Sequence, residues 1–246
     1  MSGTARLLRF LYPVRCAACG AVIPPNDGGF CPACAADLAV PAAPLCPLCG
    51  QNRKRCTCGK GERYYVRCVA PFYYEGAARA AVIRLKSRRS RQAAQTLACY
   101  MFRTLQRRLP RVPFDAVVPL PLSRRRLKQR GYNQSQWLAE LLAGLLGLPL
   151  LPALVRPDTA VEWQQKQLPA ALRRGNLLGA FEVPEPQLVK GKVLLLVDDV
   201  ITTGATFNEC AKMLRLAGAK SVYCAAAATD TYKAEKDTHR KEKDSS

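Results

Sequence analysis

The sequence contains a single histidine, His239, and it lies in a polar C-terminal run. Imidazole is the commonest general acid or base near neutral pH, so no evident histidine base serves the rest of the chain. Acidic residues are scarce as well. Eighteen Asp and Glu face 38 Lys and Arg, a formal charge of +20 over 246 residues. Folding does not require such an excess. It implies polyanionic company: phosphates, nucleic acid or an acidic membrane surface. Long apolar runs are also missing. The longest, 137–155, contains Glu140, Pro149 and Pro152, and reads as a buried amphipathic helix running into a strand or loop rather than a membrane span. The N-terminal MSGTARLLRFLYPV is interrupted by Arg6 and Arg9, with no small-residue cleavage site. Neither a secretory signal nor membrane insertion is expected, and the expected compartment is the cytoplasm, where thiols stay reduced.

Cysteine, by contrast, is abundant. Eight of the 12 cysteines lie between Cys16 and Cys58, in a Pro-rich stretch with poor helix or strand periodicity. The spacing is Cys16-x2-Cys19, Cys31-x2-Cys34, Cys46-x2-Cys49 and Cys56-x-Cys58. Each Cys-x2-Cys knuckle brings two thiolates onto one tetrahedral cation, and two knuckles complete four ligands. The expected sites are Cys16, Cys19, Cys31 and Cys34, then Cys46, Cys49, Cys56 and Cys58. Spacing alone leaves an interleaved arrangement open, and a disulfide or redox role for any single pair. Four-thiolate zinc has no open position and is structural; in small finger peptides it contributes an apparent ~10–16 kcal/mol, ample to fold a segment that lacks a core. Cys68, Cys99, Cys210 and Cys224 are isolated and read as buried small apolar residues.

Beyond residue 66 the texture changes. A hydrophobic content of 49% suffices for one sizeable core plus a small satellite. The expected organisation is a Cys-rich zinc-binding module over 1–66, an α/β domain over 67–232 and a disordered charged tail over 233–246. Residues 77–109 read as one long helix ended by Pro110 and Pro113, 114–118 as a strand, and 133–146 as a helix closed by Gly147. Residues 150–155 read as a short strand, 162–180 as irregular, 192–197 as a strongly apolar strand, 206–216 as a helix and 221–228 as a further strand. Strands alternating with helices predict a mostly parallel sheet covered on both faces.

The run VLLLVDDVITTGAT, 193–206, carries the chemistry. A buried strand delivers Asp198 and Asp199 to its carboxyl end, the edge where ligands of open α/β sheets bind. Thr202, Thr203, Gly204, Ala205 and Thr206 follow, just before a helix. Small residues let backbone N–H groups converge on a phosphate, and the helix N-terminus adds a favourable dipole of about 0.3–1 kcal/mol per charge. Paired carboxylates suit the neighbouring ribose hydroxyls, whose O–H groups they accept. Upstream, five cations crowd 124–130 just past a strand end, and Gly131 follows. Arg forks match the oxygens of a pyrophosphate, so Arg125 and Arg130 are candidates for it. Lys86 is a further candidate, reaching in from the first helix.

The 193–206 run resembles the 5-phosphoribosyl-1-pyrophosphate (PRPP) signature of the type I phosphoribosyltransferases. Taken with PLPLSRRRLKQRGYNQ (119–134), Arg156, Thr159, Gln165, Leu168, Arg173 and NLLGAF (176–181), the chain resembles the ComF family over about residues 7–229. These are phosphoribosyltransferase-like proteins associated with bacterial DNA-transformation competence, and RGYNQ stands here where the family usually has RGFNQ. The resemblance implies a type I phosphoribosyltransferase-like fold with an N-terminal zinc module. It gives Asp198 and Asp199 the ribose hydroxyls, 202–206 the 5′-phosphate, and Asp198, Asp199 and Arg173 the catalytic roles. The stretch 156–176 is the candidate loop over the reacting ribose, and Mg²⁺ would arrive with PRPP. The activity implied is transfer of phosphoribosyl from PRPP to an unidentified acceptor with release of pyrophosphate, linked to DNA uptake and to partners among the competence machinery. Two other readings stand beside it: an accessory that binds single-stranded DNA without catalysis, and a PRPP-sensing regulator. For the former, Arg84, Lys86, Arg88, Arg89 and Arg91 follow closely on Tyr64, Tyr65, Phe72, Tyr73 and Tyr74, and bases stack on aromatics while phosphates pair with cations. The favoured reading of those aromatics is that they pack the zinc module onto the core.

Overall fold

The computed structural model describes residues 13–25, 28–56, 58, 61–157 and 180–230. The expected loop residues Thr159, Gln165, Leu168, Arg173 and Asn176, and the tail 233–246, lie outside the described residues.

Among the described residues, five strands form one parallel sheet. These are β1 (Cys68–Val69), β2 (Phe72–Tyr73), β3 (Ala116–Pro119), β4 (Val193–Ile201) and β5 (Ser221–Thr229). The order is β1-β5-β4-β3, with β2 continuing β1 along the same edge of β5. The helices are α1 (Pro32–Ala36), α2 (Gly76–Arg88), α3 (Arg91–Arg108), α4 (Arg124–Arg130), α5 (Gln134–Leu146) and α6 (Ala205–Leu216). Among the described residues, none is long and apolar enough to cross a membrane.

The apolar run of β4 is explained by burial on both faces. Leu195 and Val197 point into a core shared with α2, α3 and α5, whereas Leu194 and Leu196 point into a second core shared with α6. The cysteine segment is divided between these cores. Cys16, Ala17, Ile23 and Phe30 join the first, and Cys46, Cys49 and Tyr65 join the second. The aromatics after the cysteines make the joint. Phe72 and Tyr73 are buried, Phe30 meets Phe72 edge-on at 6.1 Å, and the Tyr73 hydroxyl accepts from Asn52 N at 3.1 Å. Packing onto the core therefore describes Tyr65, Phe72 and Tyr73 better than a stacking platform does.

Several expectations need correction. The single helix over 77–109 is two, because Arg89 closes α2 in the left-handed region (φ 48°) and Ser90 caps α3, its Oγ accepting from Ala93 N at 3.2 Å. The break turns Arg89 onto the next motif: its guanidinium donates to the Arg130 carbonyl at 2.8 Å and lies over the Tyr132 ring. A Cβ at Gly131 would collide with that guanidinium. The arginine-rich stretch is itself a helix, α4, capped by Ser123 and ended by Gly131 at φ 73°. The strand expected over 150–155 is reduced to single bridges, Leu150 with Val117 and Val155 with Glu182. The strand at 192–197 runs further, to Ile201, because β5 keeps pairing with it through Ile201↔Thr229. Cys68, Cys210 and Cys224 are buried as expected, but Cys99 is exposed, since it falls outside the stripe of α3 formed by Ala94, Leu97, Ala98 and Met101.

Candidate functional site

Asp198 and Asp199 sit within the last turn of pairing of β4 rather than beyond it, and both border a cavity of about 150 Å³. Four cations line the same space: Lys86 from α2, Arg126 and Arg130 from α4, and Arg156. Thr206, in the first turn of α6, closes one side. Arg125 is exposed on α4 and does not line the cavity; Arg126, one residue on, does. Arg130 is held by its own Nη1 donating to Gln134 Oε1 at 2.9 Å, and Arg156 lies over the buried Phe181 ring at 5.5 Å.

The two acids are held differently. Asp199 is 4% exposed, and Lys86 Nζ reaches its Oδ1 at 2.9 Å while Oδ2 is buried without a hydrogen-bond partner. Asp198 Oδ1 accepts from Ser135 Oγ at 2.6 Å and from Asp199 N at 2.8 Å. Burial, then the adjacent Asp199 charge, pushes the Asp198 carboxyl up from 3.8 to about 7, against the pull of those hydrogen bonds and of Lys86. Ser135 is a site residue that the sequence reading missed. It lies two residues into α5, whose cap Asn133 accepts from Ser135 N at 3.0 Å, and only the fold brings that turn to β4.

The loop between β4 and α6 follows Ile201. Thr202, Thr203 and Thr206 are exposed, and Gly204 is the N-cap of α6 at φ 75°. A side chain at Gly204 is excluded twice, by that left-handed backbone and by the Tyr65 hydroxyl, which would stand 2.7 Å from a Cβ. Thr203 Oγ1 accepts from Ala205 N at 3.3 Å. The arrangement places the exposed hydroxyls of Thr202, Thr203 and Thr206 at the start of α6, and of residues 202–206 Thr206 lines the cation-lined cavity that the two carboxylates also border.

The cysteines pair without interleaving. Cys16, Cys19, Cys31 and Cys34 form one group and Cys46, Cys49, Cys56 and Cys58 another, with all sulfurs of a group within 4.8 Å of one another. A tetrahedral ion with Zn–S near 2.3 Å separates its sulfurs by about 3.8 Å. Cys19–Cys31 at 3.8 Å and Cys49–Cys56 at 3.7 Å match that edge. Backbone N–H groups of Cys31, Leu48 and Cys58 point at the sulfurs of Cys16, Cys46 and Cys56, as in zinc knuckles.

Comparison with known proteins agrees with this geometry. Residues 7–69 match the model of the double zinc ribbon domain, and residues 138–245 match that of the phosphoribosyl transferase domain. The molecule is thus a double zinc ribbon with structural zinc sites joined to a phosphoribosyltransferase-type fold. It is 33% identical over 195 residues to the DNA utilization protein YhgH of Salmonella typhi, covering 78% of this chain and 80% of that protein. To Competence protein F of Haemophilus influenzae it is 39% identical over 122 residues, 49% of this chain and about half the length of that relative (51%). Among solved structures, adenine phosphoribosyltransferase from Saccharomyces cerevisiae aligns with a TM-score of 0.39 and 21% identity, covering 58% of this chain and 71% of that one. The chain belongs to the ComF family.

Proposed function

We propose that this protein binds PRPP with Mg²⁺ and transfers its phosphoribosyl group to an acceptor, releasing pyrophosphate, in the cytoplasm and in the service of DNA uptake. The observation that carries the reading is the pairing of Asp198 and Asp199 in a cavity that Lys86, Arg126, Arg130 and Arg156 also line, beside the N-terminus of α6. Each group has work to do there. The amides and hydroxyls of 202–206 take the 5′-phosphate, helped by the α6 dipole. The acids accept the ribose hydroxyls, and Lys86 offsets their charge until the ligand arrives. Arg126 and Arg130 offer forks to the pyrophosphate, with Arg125 at the outer edge of the same helix. Arg173 remains our candidate for a third catalytic residue. The buried, unpartnered Asp199 Oδ2 is a hard oxygen of the kind Mg²⁺ takes, beside ligands from pyrophosphate and water. When bound, the cation supplies charge stabilisation to the departing pyrophosphate.

The test is turnover: PRPP, Mg²⁺ and a pool of nucleobases and amines, followed for pyrophosphate. Release by the wild type that is lost in Asp198→Ala and Asp199→Ala is expected. A wild type that binds PRPP and releases none would leave a PRPP-sensing regulator.

A second reading, an accessory that binds single-stranded DNA with PRPP as its regulator, is favoured by the exposed Arg125, Arg126 and Lys128 of α4. Its affinity should fall with salt at a slope of roughly −0.7 per neutralised phosphate. Binding that is insensitive to salt would contradict it.

A further inference from the structure

The second cysteine cluster is wired to the phosphate loop by two separate chains of contacts. The first runs through Tyr65, which is 3% exposed. Its hydroxyl donates at 2.8 Å to the carbonyl of Leu48, a residue inside the Cys46-x2-Cys49 knuckle whose own N–H points at Cys46 Sγ. The same hydroxyl stands against Gly204, and the Tyr65 ring meets Phe207 of α6 edge-on at 6.5 Å. Burial pushes this hydroxyl far above its ordinary range, so it stays a donor at any physiological pH. The second chain runs through Gln51, 1% exposed and two residues past Cys49. Its side-chain amide donates to the Asp230 carbonyl at 2.5 Å, and Asp230 N donates to the carbonyl of Ile201, the last residue of β4 before the loop, at 2.8 Å. Both routes thus arrive at the two ends of the 201–204 segment, one at Ile201 and one at Gly204. Asn208 of α6 adds a tether behind them, bonding Tyr64 N and the Glu62 carbonyl just after the last cysteine.

Resting on the PRPP reading of the loop, we propose that Tyr65 and Gln51 are positioning residues that set the phosphate loop by fastening it to the second zinc knuckle. A loop whose donors are held in place before the ligand arrives spends less binding energy on ordering them. Neither residue touches the ligand in this account. Both act through the backbone they hold.

The test uses the full-length, zinc-loaded chain and the variant Tyr65→Phe, which keeps the ring and removes the donor. Hydrogen exchange of amides 201–206 is expected to speed up at least about threefold while that of 193–197 in β4 stays unchanged, zinc content is unaltered, and affinity for Mg·PRPP falls about tenfold. Gln51→Leu should produce the same pattern from the Ile201 end, and it decides the matter if Tyr65→Phe does not fold. Unchanged exchange in 201–206 overturns the proposal. If the wild type binds no PRPP, the exchange data still decide whether the tether exists, and only the functional reading falls. Faster exchange spread evenly over the whole sheet would mean general loosening, and would also overturn it.

Discussion

The two cysteine clusters have the same four-thiolate chemistry and different surroundings. The first lies against the helical layer. Arg15 N, just before Cys16, donates to Gln92 of α3, Phe30 packs with Phe72 and Tyr100, and the Arg84 guanidinium of α2 lies close against Gly20. None of these contacts reaches 201–206. The second belongs to the core shared with α6 and reaches that segment through Tyr65 and Gln51. The acids, for their part, are held from the helical side, Asp199 by Lys86 of α2 and Asp198 by Ser135 of α5. In the account proposed above, the candidate site is assembled from two layers, its carboxylates held by helices and its 201–204 segment fastened to the second cysteine knuckle. A zinc knuckle can hold a loop in a way a small apolar module cannot, because metal ligation fixes its backbone without needing a core of its own.

Cysteine replacement is the strongest way to break this contrast. Cys49→Ser and Cys19→Ser are each expected to lose one zinc, measured by metal analysis of the purified chain. Cys49→Ser should also lose at least about tenfold in Mg·PRPP affinity, near 1.4 kcal/mol. Cys19→Ser should leave the affinity of its folded fraction within about twofold, since it shares no partners with the loop. Equal losses in both would abolish the distinction.

The helical side can be sharpened through pH. Asp198 carries a carboxyl raised to about 7 by burial and by Asp199. Between 3.8 and about 7 the folded chain thus keeps a proton that the unfolded chain has released, and stability falls with rising pH. That contribution is fully present below the unfolded value of 3.8, and it is lost as pH rises through about 7. Unliganded wild type should lose on the order of a few kcal/mol relative to Asp198→Asn across this window, read from urea midpoints at each pH. Parallel curves for the two proteins would contradict the burial of that charge.

A smaller effect is expected at the helix break. Ser90→Ala removes the cap of α3 and should cost about 1 kcal/mol by thermal melting. Exchange at 201–206 should not change, because α3 holds no part of the loop.

The strand, acid pair, small-residue turn and helix start over 193–206 were legible in the sequence because they are contiguous, and each has a local physical cause. The cysteine spacing was legible for the same reason, and the observed uncrossed pairing follows the order of the knuckles. What escaped depended on distant partners. Arg89 caps α2 in a left-handed conformation that no glycine or asparagine announces, and its side-chain partner is the Arg130 carbonyl, 41 residues away. The two-residue strands β1 and β2 exist only by pairing with β5. Arg126, not Arg125, lines the cavity, a choice of helix face that depends on how α4 sits against the sheet. Ser135 and Gln134 could have been suspected from their place just after RGYN, but their roles needed the position of β4.

The central claim is that the acid pair and the 202–206 loop form one PRPP site, and calorimetric titration of Mg·PRPP into the unmodified protein and into Asp198→Ala/Asp199→Ala tests it most directly. Saturable heat with one site per chain in the former and none in the latter is the result expected. No heat from the unmodified protein, or equal heat from both, would contradict it.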